Sequence, residues 1–245
     1  MPKEEQRAFF DRFLDSIVYA SYARESLHTI FNFHEWLMTN EMVRMSGHWT
    51  EKLFIGAANL YRAELEKRLD RAKAEVEGLV KIFTEFQVMP GALVLDLACG
   101  IGRHSVALAE NGYRVVGVDL SPAFVTRARE LAEERGVSQN SDFKVGDMRQ
   151  IGAVLSSYDR RFNAVVNLFT SMGYYAEETD KDVIKQLLGL AAEKCVLIID
   201  AFNRDWLIRH FRPSDLSRGE DGPILVEERK LNLENSRMET LWKYY

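Results

Sequence analysis

The sequence predicts an α/β protein: a doubly wound, mostly parallel sheet preceded by an N-terminal helical region and followed by a C-terminal antiparallel hairpin. Three observations predict it. From Met89-Pro90-Gly91 onward, short apolar runs alternate with amphipathic stretches at the spacing of βαβ units. Before that point apolar residues recur at helical spacing, as in Phe9, Phe10, Phe13, Leu14 and Ile17, with only Gly47 ahead of Gly56. At the end of the chain, two strand-like runs face each other across a Glu-Asn-Ser turn.

In chain order, the spacing predicts helical pieces over 4–20, 22–38, 39–47 and 50–87, the last broken near Gly56 or Asn59. This region is rich in aromatics such as Phe31, Trp36, Trp49 and Phe54, which need a cover. The α/β domain or a second copy of the chain would supply it, the latter as a homodimer through residues 4–60. Strands follow at 93–98, 114–119, 142–145, 162–168 and 195–201. Helices are predicted at 103–111, 122–135, 149–157, 179–193 and 203–211, then hairpin strands at 224–233 and 236–244. The expected division is a helical region or lid over 1–88, a sheet domain over 89–215 and a hairpin over 216–245. The hairpin is read as a flap, with terminal strands of the main sheet as the other reading.

Composition narrows the function. A chain of 245 residues, 47% hydrophobic and 28% charged, can bury a sizeable core. With 32 basic against 37 acidic residues it shows no electrostatic footprint for a polyanion, so nucleic acid is disfavoured. No apolar run approaches the roughly 18–20 residues of a membrane span, and Met-Pro-Lys-Glu-Glu-Gln is too polar for a signal peptide; a cytoplasmic location is expected. Two isolated cysteines, Cys99 and Cys195, form neither a metal site nor a disulfide framework and read as reduced packing residues.

The chemistry concentrates at strand ends, where an open α/β sheet binds ligands. The first core strand runs Val94-Leu95-Asp96-Leu97-Ala98 into Cys99-Gly100-Ile101-Gly102-Arg103-His104-Ser105, a glycine turn opening a helix. The second ends in Asp119-Leu120, about 20 residues after the first glycine, the spacing of an acid that accepts hydrogen bonds from a ribose diol. The third ends Gly146-Asp147-Met148. Acids on adjacent strand ends suit a ligand with an ammonium, a sulfonium, a ribose and an adenine amine, and would repel a pyrophosphate. Singly each has a plain structural use: Asp96 satisfying loop amides, Asp119 capping the helix at Ser121-Pro122, Met148 filling core, Asn203 capping a helix.

With its motifs D-L-A-C-G-I-G-R-H, V-V-G-V-D-L-S, G-D-M-R and F-N-A-V-V-N-L-F-T-S-M-G-Y, the segment over 93–215 resembles the class I S-adenosylmethionine-dependent methyltransferases, in particular their small-molecule group. The resemblance implies a Rossmann-like domain that binds S-adenosyl-L-methionine and releases S-adenosyl-L-homocysteine. It implies that Asp96, Ala98, Gly100 and Gly102 frame the methionine part, Asp119 and Leu120 the ribose side, Asp147 and Met148 the adenine, and Asn167 the end near the methyl group. Relatives carry a further helix and two sheet strands after such a hairpin, and here the proline-and-glycine turn before the fifth strand is replaced by Leu190-Ala191-Ala192-Glu193-Lys194-Cys195.

A sulfonium is already activated, so a general base is needed only for weakly acidic or protonated acceptors. His28, His34, His48, His104 and His210 are the histidine candidates, each with a plain structural use; His34 and His48, in the helical region expected to roof the pocket, and Tyr174 lead them, while His104 at a helix start reads as a cap or packing residue. Tyr174, Tyr175, Asn203 and Arg204, with Trp206 beside them, are candidates for acceptor contact. No Asn-Pro-Pro-aromatic motif follows the fourth core strand and no Pro-Cys pair occurs there, which disfavours amide, adenine and cytosine acceptors. A small molecule methylated on oxygen or nitrogen is the expectation. Two alternatives accompany it: a non-catalytic cofactor-binding scaffold or partner subunit, and an NAD-dependent oxidoreductase, against which stand Ser105 in place of a third glycine and Asp96 facing the pyrophosphate.

Overall fold

The computed structural model describes residues 17–19, 48–218, 224–234 and 237–244. These fall into two compact units, one holding residues 17–19 and 59–201, the other 48–58 and 202–244. The helices expected over 22–38 and 39–47, and His28 and His34 with them, lie outside the described residues. Within the helix expected over 4–20, Ile17–Tyr19 instead form a strand, β1. It pairs in parallel with a sheet strand, Ile17 opposite Leu197 and Tyr19 opposite Ile199. Ile-Val-Tyr favours extended backbone, and a sheet edge offers it hydrogen bonds that an isolated helical turn does not.

The expected helix over 50–87 is three pieces: α1 (Trp49–Glu51) with a π-helical turn at Lys52–Gly56, α2 (Ala58–Glu66) and α3 (Leu69–Glu85). The break near Gly56 was expected; the second, at Lys67 and Arg68, was not. Then come β2 (Leu93–Leu97), α4 (Arg103–Glu110), β3 (Arg114–Asp119), α5 (Pro122–Glu134), β4 (Ser141–Val145), α6 (Ile151–Val154), β5 (Phe162–Asn167), α7 (Glu177–Leu190) and β6 (Ala191–Ile199). The six strands are all parallel, in the order β1-β6-β5-β2-β3-β4. β6 begins at Ala191, inside the helix expected to reach 193. α7 runs straight into it, because the Arg161 amide bonds the Leu190 carbonyl at 3.0 Å and Phe162 pairs with Ala191.

Period-2 side chains divide β2 between two cores. Leu93, Leu95 and Leu97 meet Val183, Leu187 and Leu190 of α7 on one face. On the other, Val94 packs with Ala72, Val76, Leu79 and Phe83 of α3 and with Leu108 of α4. All five residues of β2 are buried, as the central strand of a doubly covered sheet requires, whereas the edge strand β4 is mostly exposed or half-buried. α3 is therefore one of the sheet's covering helices, so residues 59–88 belong to the compact unit of the sheet. Both cysteines are free and buried, and burial pushes the Cys195 thiol up to about 12.

The second unit adds α8 (Arg204–Arg209) and an antiparallel sheet of β7 (Ser214–Arg218), β8 (Ile224–Asn232) and β9 (Arg237–Tyr244). The β8–β9 hairpin was legible, and it pairs with β7 rather than joining the main sheet. β7 was not foreseen: Ser-Asp-Leu-Ser-Arg has neither β-branched residues nor a clear alternation, and only its ladder to β8 makes it a strand.

Candidate functional site

Chain order reverses between β2, which continues to β3 and β4, and β5, which continues to β6. The carboxyl ends of β2 and β5 thus bound the crevice where such sheets take ligands. Ala98, Gly100 and Gly102 turn the chain there with φ of 60°, 56° and 75°. Gly102 has to be a glycine for packing: an added Cβ would lie 2.7 Å from Ala128 Cβ and 3.0 Å from the Phe143 ring. At Gly100 the nearest atom would be Leu65 Cδ1 of α2, at 3.4 Å.

Asp119 ties this turn to the end of β3. Its Oδ2 accepts the Gly100 amide at 2.8 Å and its Oδ1 the Ser121 amide at 2.9 Å, so the capping use and the reach toward the glycine turn occur together. Burial lifts its pKa to about 6 against the pull of those amides. Leu120, next in sequence, is half-buried. Asp96 is only 1% exposed and accepts the Ser105 hydroxyl at 2.6 Å, which makes it a brace for the turn. Asp147 accepts the Arg149 amide at 2.8 Å and its guanidinium at 2.6 Å, capping a short 3-10 turn over Met148–Gln150. Met148 is 7% exposed and sits in the core shared with α7.

At the end of β5, Asn167 is fully buried and its Nδ2 donates to the Leu97 carbonyl at 2.9 Å. Its Oδ1 has no hydrogen-bond partner among the described residues. A buried amide oxygen left so costs about 1–3 kcal/mol, a cost a ligand donor would remove. Beyond it, Phe169 and Thr170 both have φ of 60°, and the Phe169 amide donates to Asp200 Oδ2 at 3.0 Å. Non-glycine residues held in this region mark a loop whose shape is imposed.

Several contributors were missed because no local pattern announces a helix-to-loop contact. Glu75 of α3 binds Arg103 and reaches His104 Nε2 at 2.7 Å. Burial pulls its pKa up, but the His104 hydrogen bond and the Arg103 charge outweigh it and hold it at about 2. Tyr61 of α2 is buried, lies 6.1 Å from Phe124 between ring centres, and is electrostatically coupled to Tyr174, Arg68, Arg103 and Asp119. Burial raises the phenols of Tyr61 and Tyr174 well above their usual range, so both keep their protons. Tyr175 is a core residue with Arg149 stacked 4.7 Å from its ring centre.

His48, Asn203 and Arg204 belong to the second unit. His48 caps α1, its Nδ1 3.0 Å from the Thr50 hydroxyl. Asn203 caps α8 by accepting the Trp206 amide at 2.9 Å, Trp206 stacks on His210, and Arg204 lies 3.8 Å from Asp205. Among the described residues no His, Cys, Asp and Glu group is placed to hold a metal.

Residues 94–193 match a family model described as a methyltransferase domain. Over that segment the chain is similar to methyltransferase domains. The chain is 26% identical over 172 residues to the carboxy-S-adenosyl-L-methionine synthase of Chromohalobacter salexigens, covering 66% of this chain and 61% of that one. It is 33% identical over 142 residues to the 2-heptyl-1-hydroxyquinolin-4(1H)-one methyltransferase of Mycobacteroides abscessus, covering 56% and 54%. The fold superposes on that of a S-adenosylmethionine-dependent methyltransferase from Clostridium acetobutylicum with a TM-score of 0.57 at 18% identity, over 71% of this chain and 70% of that one. The chain spans 41 to 61% of the length of the first curated relatives it matches. No helix among the described residues is long and apolar enough to cross a membrane.

Proposed function

We propose that this chain transfers a methyl group from S-adenosylmethionine to an oxygen or nitrogen of a small organic acceptor. The observation that carries the reading is the Asp119 carboxylate gripping the Gly100 amide at the end of β3, opposite the unspent Oδ1 of Asn167 at the end of β5. On this reading Ala98, Gly100, Asp119, Leu120 and Asn167 touch the cofactor directly. Asp96 and Gly102 shape the turn from behind, and Asp147 and Met148 form the floor on the adenine side. The cofactor supplies a methyl group on a cationic sulfur, an electrophile that needs no acid to activate it.

What remains for the protein is to bind, orient and exclude water. Each carboxylate oxygen of Asp119 can accept a second hydrogen bond besides its amide, which suits two vicinal hydroxyls. Asn167 Oδ1, fixed by the bond its Nδ2 makes to Leu97, can accept from an ammonium. Tyr174, keeping its proton, acts as a hydrogen-bond donor for the acceptor rather than as a base. The relative named for a hydroxyquinolinone supports a small acceptor.

The test is calorimetric titration with S-adenosylhomocysteine, with NAD as control, on the wild type and Asp119→Ala, followed by a methyl-transfer screen. Micromolar binding lost in the variant supports the reading. Binding without transfer to any acceptor would favour a cofactor-binding scaffold, and preference for NAD would overturn the reading outright.

A further inference from the structure

Arg68 stands in the unforeseen break between α2 and α3, half-buried, with its guanidinium 4.8 Å from the centre of the Phe169 ring. Arg103 lies over the same ring at 5.5 Å. The charges around it are sorted into pairs. Glu75 serves Arg103 and His104, Glu64 pairs with Lys67 at 2.6 Å, and Glu66 with Arg127 at 2.8 Å. Among the described residues, the Arg68 guanidinium has no hydrogen bond or ion pair. Burial, and then the like charges of Arg71 and Arg103, pull its pKa down, although Tyr61 and Glu64 act the other way. A partly buried cation in this position is short of counter-charge.

The ring beneath it is deliberately held. Phe169 and Thr170 both take left-handed backbone, and the Asp200 carboxylate at the end of β6 fixes the Phe169 amide. The aromatic face in turn restrains the guanidinium, leaving its N–H fork unspent at the ligand-binding end of the sheet.

We propose that Arg68, seated on Phe169, is a binding site for a carboxylate of a bound ligand. A guanidinium fork matches a carboxylate in a bidentate pair, and here the neighbouring cations add to the attraction. The inference rests on the methyltransferase reading for the two sources such a group can have: the amino-acid end of the cofactor, or a carboxylate-bearing acceptor.

The experiment compares wild type, Arg68→Gln and Arg68→Lys, each checked by thermal melting, in titrations with three probes. The probes are S-adenosylhomocysteine, decarboxylated S-adenosylmethionine, and benzoate added to protein saturated with S-adenosylhomocysteine, with benzamide as the neutral control. If the cofactor supplies the carboxylate, Arg68→Gln weakens S-adenosylhomocysteine about tenfold or more and leaves the decarboxylated compound unchanged. If the acceptor supplies it, S-adenosylhomocysteine is unaffected, wild type prefers benzoate to benzamide, and Arg68→Gln loses that preference. Arg68→Lys, which keeps the charge without the fork, falls between, and stands in should the glutamine variant not fold. Unchanged S-adenosylhomocysteine affinity together with no Arg68-dependent benzoate binding overturns the proposal. A wild type that binds no S-adenosylhomocysteine defeats the methyltransferase reading instead, and benzoate alone then decides the carboxylate site.

Discussion

The two glycines of the turn should respond differently to the same added methyl group. Gly100 and Gly102 both have positive φ, so alanine at either costs about 1–2 kcal/mol in backbone strain. At Gly102 the new Cβ would also lie 2.7 Å from Ala128 Cβ and 3.0 Å from Phe143 Cε1, both inside the core between α5 and β4. Ala128 has no torsion to turn away and the ring is enclosed, so overpacking adds about 1–3 kcal/mol. At Gly100 the nearest atom is the end of a leucine side chain at 3.4 Å, an ordinary contact. The difference of about 2 kcal/mol corresponds to about 4–8 °C in a chain of this size. Thermal denaturation should therefore find Gly102→Ala melting well below Gly100→Ala. Titration with S-adenosylhomocysteine should find the reverse order of harm: Gly100→Ala folded but weakened in binding, because the proposed ligand needs that surface bare. Equal melting temperatures, or a folded Gly102→Ala that alone loses the ligand, would refute the assignment of one glycine to packing and the other to binding.

Three further outcomes follow from the same geometry. Ala98 holds a φ of 60° with its methyl half-exposed, so Ala98→Gly should stabilise the fold by about 1 kcal/mol by releasing strain; an unchanged or lower melting temperature would count against that strain. Asp119 has a raised pKa, so its contribution to the ligand-free fold is fully present below its unfolded value and is lost as pH rises through about 6; a ligand held by the ionised form shows the opposite trend. At pH 5 about one site in ten is ionised, so S-adenosylhomocysteine should bind about tenfold more weakly than at pH 7.5, and equal affinities by calorimetry would exclude an ionised Asp119 as its anchor. In the second unit, Arg229 and Glu227 form an ion pair on the buried face of β8, each side chain 5% exposed. Arg229→Met should cost about 3–5 kcal/mol in denaturant unfolding by removing the buried guanidinium from beside the Glu227 carboxylate, while replacing both residues with apolar ones should cost much less.

The sheet was legible because burial on both faces writes itself into β2, β3, β5 and β6 as largely apolar runs, and because each run ends in a polar residue or a glycine turn. Asp119 and Asn167 could be picked out for the same reason: a polar residue closing an apolar strand has few uses other than a cap or a ligand. What the sequence did not reveal depends on distant partners. β1 and β7 are strands only by virtue of the ladders they join. The start of β6 at Ala191 depends on Phe162 pairing across from it. Tyr61, Arg68 and Glu75 look like ordinary residues of amphipathic helices until α2 and α3 are placed against the glycine turn. Met148 and Tyr175 met the local criteria for a strand-end contact, yet their apolar bulk completes the core shared with α7.

The described carboxylates at the ligand end of the sheet are spent on positioning, and this limits the chemistry that end can do. Asp96 holds Ser105, Asp119 holds two amides, Asp147 holds Arg149, and Asp200 holds the Phe169 amide. Tyr61 and Tyr174 are pushed toward keeping their protons, and Glu75 is engaged by Arg103 and His104. On the proposed reading, then, the described residues of the first unit at the ligand end of the sheet contribute no side chain poised to deprotonate a weakly acidic acceptor, and the acceptor must arrive already nucleophilic. The pH dependence of methyl transfer above pH 7 should accordingly follow the acceptor: with a series of phenols or amines of graded acidity, the midpoint of the rate profile should move with the acceptor's own pKa. A midpoint that stayed fixed across the series would mean that a protein group does the deprotonation, and would send the search for it back to the histidines.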